Sequence, residues 1–77
     1  MDIRKAANEL WAPVDRSELP DEHEAYGKNH LRAMLAMLAG GEITGDKAHR
    51  WLGWVQGCIC VGKGATLDDM KDINKKA

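Results

Sequence analysis

The residues best equipped for chemistry lie in one run of this sequence, Lys47-Ala48-His49-Arg50-Trp51-Leu52-Gly53-Trp54. Lys47, Arg50, Trp51 and Trp54 recur at three- and four-residue spacing, so a helix would present all four on one side. The two indoles could stack on nucleobases while the two cations contact phosphate oxygens. The run therefore predicts a nucleotide-binding surface. The alternative is that the indoles fill a core or a subunit interface and the cations are only solvated.

Further cations precede this run. Lys28 and Arg32 are four residues apart and lie mostly outside the apolar face predicted for their helix, so they could add phosphate contacts. The predicted ligand site therefore comprises Lys28, Arg32, Lys47, Arg50, Trp51 and Trp54.

No arrangement of side chains predicts catalysis or a metal site. His23, His30 and His49 have no Ser or Cys nucleophile beside them with a recognisable orienting carboxylate, so we expect a binding protein without catalytic residues. Cys58 and Cys60 would point to nearly opposite sides of a helix, and with His49 they supply fewer ligands than a closed zinc site needs. We expect buried free thiols and no cofactor.

Composition limits the partners and the location. A chain of 77 residues with 11 basic and 12 acidic side chains has a formal charge of -1, which argues against general nucleic-acid binding. No apolar stretch approaches the roughly 20 residues of a membrane-spanning helix. The start of the chain lacks a hydrophobic signal segment, and the two cysteines are too close to bridge each other, so we expect a cytoplasmic protein. So short a chain has a thin core, which favours homo-oligomers.

The spacing of apolar residues predicts a single all-α domain over residues 1–77. An amphipathic N-terminal helix over 1–12 would begin at Asp2 and end before Pro13, followed by a linker to Leu19. A second helix over 20–39 would begin at Pro20, with Tyr26 on its apolar face, and stop at the Gly40-Gly41 pair.

A third helix is predicted over 45–60, with Thr44 as its cap. The short connection makes residues 20–60 an antiparallel helical hairpin. Residues 58–61 are assigned to the helix end, with a short strand as the alternative. Thr66 and Asp69 have the spacing of a capping box, which predicts a last short helix over 66–76.

Two glycines of the third helix, Gly53 and Gly57, are four residues apart and so lie on one side of it. Their missing side chains would let another helix approach closely. That helix could be the other arm of the hairpin or part of another subunit.

Two segments carry a resemblance, Gly27-Lys28-Asn29-His30-Leu31-Arg32 and Lys47-Ala48-His49-Arg50-Trp51-Leu52-Gly53-Trp54-Val55-Gln56-Gly57. With them the chain resembles a small bacteriophage accessory protein, and its hairpin over 20–60 resembles phage anti-CBASS and anti-Thoeris sponges. The resemblance implies an oligomer in the host cytoplasm that sequesters a cyclic or ADP-ribose-type nucleotide immune signal without cleaving it. No motif allows the binding residues of those proteins to be transferred to this chain.

Two other functions remain open at this point. In the first, the Trp-rich face and the N-terminal helix dock onto a host enzyme or regulator and inhibit it, because Trp and Arg are frequent interface anchors. In the second, the chain is a purely structural oligomer.

Overall fold

Five α-helices and no strand make up the chain in the computed structural model, which describes residues 1–77. The helices are Ile3–Asn8 (α1), Trp11–Arg16 (α2), Lys28–Ala39 (α3), Gly45–Val61 (α4) and Leu67–Lys76 (α5). The prediction of an all-helical chain is confirmed.

The N-terminal region contains two short helices where the sequence predicted one helix and a linker. Asp2 caps α1 as predicted, since its carboxylate accepts a hydrogen bond from the Lys5 amide at 3.2 Å. The prediction that Pro13 ends a helix is wrong, because Pro13 is the third residue of α2. An amide in the first turn needs no partner within the helix, so proline is tolerated there.

The prediction that the second helix begins at Pro20 is also wrong, because α3 begins at Lys28 and Tyr26 precedes it. The loop before α3 folds back onto the helix start. The carbonyls of Pro20 and Asp21 accept hydrogen bonds from the amides of Lys28 and Asn29 at 2.8 and 3.1 Å. These bonds satisfy amide groups that a helix leaves free at its N-terminus.

Within this loop the His23 side chain bonds backbone amides that would otherwise pair within a helix. Nδ1 of His23 accepts hydrogen bonds from the amides of Ala25 and Tyr26 at 3.1 and 3.4 Å, and the His23 ring stacks on Tyr26 with 3.6 Å between centroids. Bonds of this kind offer the backbone an alternative to helical pairing. They lie within the segment from 20 to 27, which is not helical.

Helix α3 is the central element, because α1, α2 and α4 all pack against it. Leu31, Leu35 and Leu38 are fully buried along its inner side. The apolar side of the N-terminal region faces the same core, where Ala6 and Leu10 are fully buried. The N-terminal helices therefore belong to the core of the domain.

Helices α4 and α5 lie where the sequence predicted them. Thr44 precedes α4 but makes no capping hydrogen bond with its side chain, and residues 58–61 are helical, so the strand alternative is wrong. Thr66 and Asp69 form the expected capping box, through bonds of 2.9 and 3.1 Å. None of the five helices has the length and apolar character needed to cross a membrane.

Candidate ligand grooves beside helix α4

The exposed side of α4 borders two grooves that share Trp54. The first, which we call the Trp groove, has a volume of about 420 Å³. It is lined by Glu24, Ala25, His30, Met34, Arg50, Trp51 and Trp54. The second, which we call the glycine groove, has a volume of about 530 Å³. It is lined by Leu19, Tyr26, Gly53, Trp54, Gly57, Cys58 and Val61.

The two indoles of the predicted site differ in their surroundings. Trp54 is 48% exposed, and its Nε1 donates a hydrogen bond to the carbonyl of Ala25 at 2.8 Å. This bond holds the ring at the border between the two grooves. Trp51 is half-buried and packs against the core, with the Lys47 ammonium 5.3 Å from the centre of its ring. Neither indole is fully buried, so both present surface to the Trp groove.

Charges around the Trp groove are mixed. Arg50 is exposed and takes part in neither of the two salt bridges of the chain, so its guanidinium is available to a ligand. His30 lies on the α3 side of the groove, and Lys47 lies beside Trp51. Glu24 adds one carboxylate to the lining. The groove can therefore offer an aromatic surface, a planar cation and one hydrogen-bond acceptor.

Lys28 and Arg32 are placed away from this groove. Nζ of Lys28 donates to the backbone carbonyl of Asp15 at 2.9 Å, and the Arg32 guanidinium binds the Asp15 carboxylate at 2.7 and 3.1 Å. His30 and Met34, which do line the groove, fall on the other side of α3 by helical spacing. Four of the six predicted site residues are therefore gathered beside the groove, and these two are not.

The lining of the glycine groove contains no charged side chain. A Cβ atom added at Gly53 or Gly57 would have no atom within 4 Å, so these glycines do not fit a helix of the same chain. The interpretation that they accommodate the other arm of the hairpin is wrong. The structure leaves this side of α4 open.

The cysteines lie on the same helix but differ in exposure. Cys58 is buried and Cys60 is half-buried, and both are free thiols. Burial raises the pKa of the Cys58 thiol. No three His, Cys, Asp or Glu side chains come together in a way that could hold a metal ion.

Sequence reasoning missed Glu24, Ala25 and Met34 in the Trp groove and Leu19 and Val61 in the glycine groove. Glu24 and Ala25 reach the groove because the loop before α3 is not helical, and the Trp54 indole binds that loop. Periodicity carries no signal for such a loop. Met34 has the spacing of an apolar helix face, but spacing alone does not show that this face ends at a groove.

Comparison with protein families, with curated proteins and with solved structures finds no match for this chain.

Proposed function

We propose that this chain is a non-enzymatic binding protein that holds a planar, anionic ligand of the nucleotide type in the Trp groove. The observation that carries the proposal is that Arg50, Trp51 and Trp54 line one open groove. Each indole can supply an aromatic surface for a base, and the planar guanidinium can pair with two phosphate oxygens. Since Lys28 and Arg32 are bound to Asp15, the Lys and Arg side chains of the proposed site come from α4 alone.

The remaining polar groups give the ligand an orientation. Lys47 lies over Trp51, so a base stacking on that face would displace the ammonium toward the phosphates. The Glu24 carboxylate would repel phosphate but can accept a hydrogen bond from an exocyclic amino group of a base. We therefore expect the base at the Glu24 side and the phosphates at Arg50.

The biological role that fits such a site is sequestration of a nucleotide-derived host immune signal by a phage protein. This part of the proposal rests on the resemblance to cyclic-nucleotide sponges and on the absence of a recognisable catalytic group. We keep the prediction that α3 and α4 form an antiparallel hairpin, which their connection of five residues (Gly40–Thr44) favours. We also keep the prediction of a homo-oligomer in the host cytoplasm, because a second subunit would help to enclose the open groove.

Isothermal titration calorimetry with a panel of cyclic dinucleotides, cyclic trinucleotides, ADP-ribose-type cyclic nucleotides and linear mononucleotides tests the proposal. We expect at least one to bind, and Arg50→Ala to weaken binding about 10- to 100-fold, as for loss of a charge-assisted hydrogen bond. Lys28→Ala and Arg32→Ala are the matched controls, because they remove cations outside the groove and should leave affinity unchanged. Absence of binding across the panel would refute the proposal.

Docking onto a host protein is the second candidate function, and the uncharged lining of the glycine groove favours it. The N-terminal helices are not available for this role as first expected, because their apolar side is buried in the core. A pull-down that gave one stoichiometric host protein, lost on Gly57→Leu, together with a negative nucleotide panel, would favour this function over the first.

A further inference from the structure

The glycine groove is the largest cavity of the molecule, and the nucleotide proposal does not use it. Several apolar side chains beside it are exposed, among them Val61 at 81%, Trp54 at 48% and Tyr26 at 40%. On the opposite flank of Gly53 and Gly57 lies another groove, of about 260 Å³, which is lined in part by Cys60 and by Leu67 at 63% exposure. The two glycines thus form a ridge without side chains between an uncharged, mostly apolar groove and a mixed one, whose lining also includes Gln56, Lys71 and Asn74.

Within one copy of the chain, no atom packs closely against the exposed side of Gly53 or Gly57. A glycine inside a helix costs about 1 kcal/mol relative to alanine, and at Gly53 and Gly57 a Cβ would meet nothing within 4 Å. Other glycines are needed internally. A Cβ at Gly62 would lie 2.6 Å from the Leu19 side chain, and one at Gly64 would lie 2.2 Å from the Pro13 carbonyl oxygen. Something outside the chain must approach the α4 backbone for the first two glycines to be useful.

We propose that a second copy of this chain covers the face, with the two α4 helices packed antiparallel across Gly53 and Gly57. A two-fold axis between these positions sets Gly53 of each copy opposite Gly57 of the other, so one surface serves both subunits. Small residues at such a crossing let two helix backbones come close while flanking side chains pack around them.

Charge complementarity selects a second copy and the antiparallel direction. Arg50 is an exposed cation without an ion pair, and it lies on the same side of α4 as Gly53, near the N-terminal end. Glu18 lies at the C-terminal end, where its amide binds the Gly62 carbonyl and its exposed carboxylate is 3.8 Å from Lys63. Antiparallel packing brings Arg50 of each copy toward Glu18 of the other, where the guanidinium competes with the exposed Lys63 ammonium for the carboxylate. It also sets the two helix dipoles in opposite directions, which is favourable.

The length of α4 is compatible with the contact area of a specific dimer. Such dimers bury at least roughly 600 Å² per copy, a modest share of the 4596 Å² that one chain exposes. Helix α4 is 17 residues long, or about 25 Å, and its exposed apolar flanks extend the contact on both sides. A core of only 14 buried hydrophobic residues explains why added burial would be useful.

Sedimentation velocity over a hundredfold range of protein concentration tests the dimer. We expect the wild type to shift from monomer to dimer, and Gly57→Leu to weaken dimerisation at least about tenfold because the leucine holds the helices apart. The variant should keep its helical circular dichroism, since the monomer has space for the new side chain. Ala33→Leu, which adds the same side chain at an exposed position of α3, is the control and should dimerise normally.

Charge reversal tests the direction of packing. Arg50→Glu and Glu18→Arg should each weaken the dimer, and the double variant should restore it, because the two positions meet only between copies. Within one chain Glu18 lies beside Gly62, which is twelve residues from Arg50, or about 18 Å along the axis of α4. A wild type that stays monomeric, a Gly57→Leu variant that dimerises normally, or a double variant that is not restored would each overturn the proposal. Because Arg50 serves both the Trp groove and the dimer, Arg50→Ala is also titrated with nucleotide in the monomeric Gly57→Leu background, where weaker binding reports the phosphate contact alone.

Discussion

Alanine substitutions at Gly53 and Gly64 should change stability in opposite directions. At Gly53 the new methyl group meets no atom within 4 Å, so the monomer should gain the helix-propensity difference, about 0.5–1 kcal/mol. At Gly64 the methyl group would lie 2.2 Å from the Pro13 carbonyl oxygen, and the backbone must shift. Overpacking of this kind costs about 1–3 kcal/mol.

Thermal unfolding followed by circular dichroism measures both effects. For a domain of this size 1 kcal/mol moves the melting temperature by about 4–8 °C, so Gly53→Ala should raise it by about 2–8 °C. Gly64→Ala should lower it by about 4 °C or more. The protein must be dilute enough that melting does not depend on concentration, because an α4 dimer would oppose the gain at Gly53. Destabilisation by both substitutions under those conditions would refute the open environment of Gly53.

Three further results are expected from single sites. Trp54→Ala removes one hydrogen bond and a half-exposed ring, so it should cost about 1–2 kcal/mol in urea unfolding and leave the protein folded; global unfolding would make Trp54 a core residue. Thr66→Ala should cost about 1 kcal/mol at neutral pH. Hydrogen bonds from Thr66 lower the pKa of Asp69, so this stabilisation is present above the unfolded-state pKa and is lost as pH falls through the folded-state pKa. The strongest of these bonds comes from the Thr66 backbone amide, which Thr66→Ala retains, so Asp69→Ala is the variant that removes the linkage. The stability difference between Asp69→Ala and wild type should shrink in acid, and a constant difference would contradict the linkage. Iodoacetamide should label Cys60 before Cys58 in the native protein, as read by mass spectrometry, because Cys58 is buried and its pKa is raised; equal rates would argue against that burial.

The helices that the sequence located well are those with a local signal at the N-terminal end or a clear apolar repeat. Helix α5 has Thr66 and Asp69 in a capping box, and α4 follows Thr44 with apolar residues at three- and four-residue spacing from Ala48 to Ile59. Near Pro13 and Pro20 the sequence was misleading. Proline is compatible with the first turn of a helix, so its presence marks neither the end of α1 nor the start of α3.

The start of α3 could not be read from periodicity, because it depends on contacts that form only in the folded chain. The His23 ring accepts hydrogen bonds from two backbone amides, and the Pro20 carbonyl accepts one from the Lys28 amide at the start of α3. The later start of α3, at Lys28 and not at Pro20, also changes which residues line the candidate site. Glu24 and Ala25 enter the Trp groove from the loop.

The candidate site was predictable only within one helix. Arg50, Trp51 and Trp54 come together because their spacing is set by α4 itself. Whether Lys28 and Arg32 join them depends on how α3 is rotated about its axis relative to the neighbouring helices. That rotation is set by the packing of the whole core, so local spacing does not predict it. Both cations instead face Asp15 of α2.

Native mass spectrometry of the protein mixed with the nucleotide panel tests most directly the claim that the exposed side of α4 is a binding surface. We expect a dimer of the 8.5 kDa chain that retains a nucleotide. Arg50→Ala should remove the nucleotide and weaken the dimer, and Gly57→Leu should remove the dimer. A monomer that carries no nucleotide at any concentration would contradict that claim.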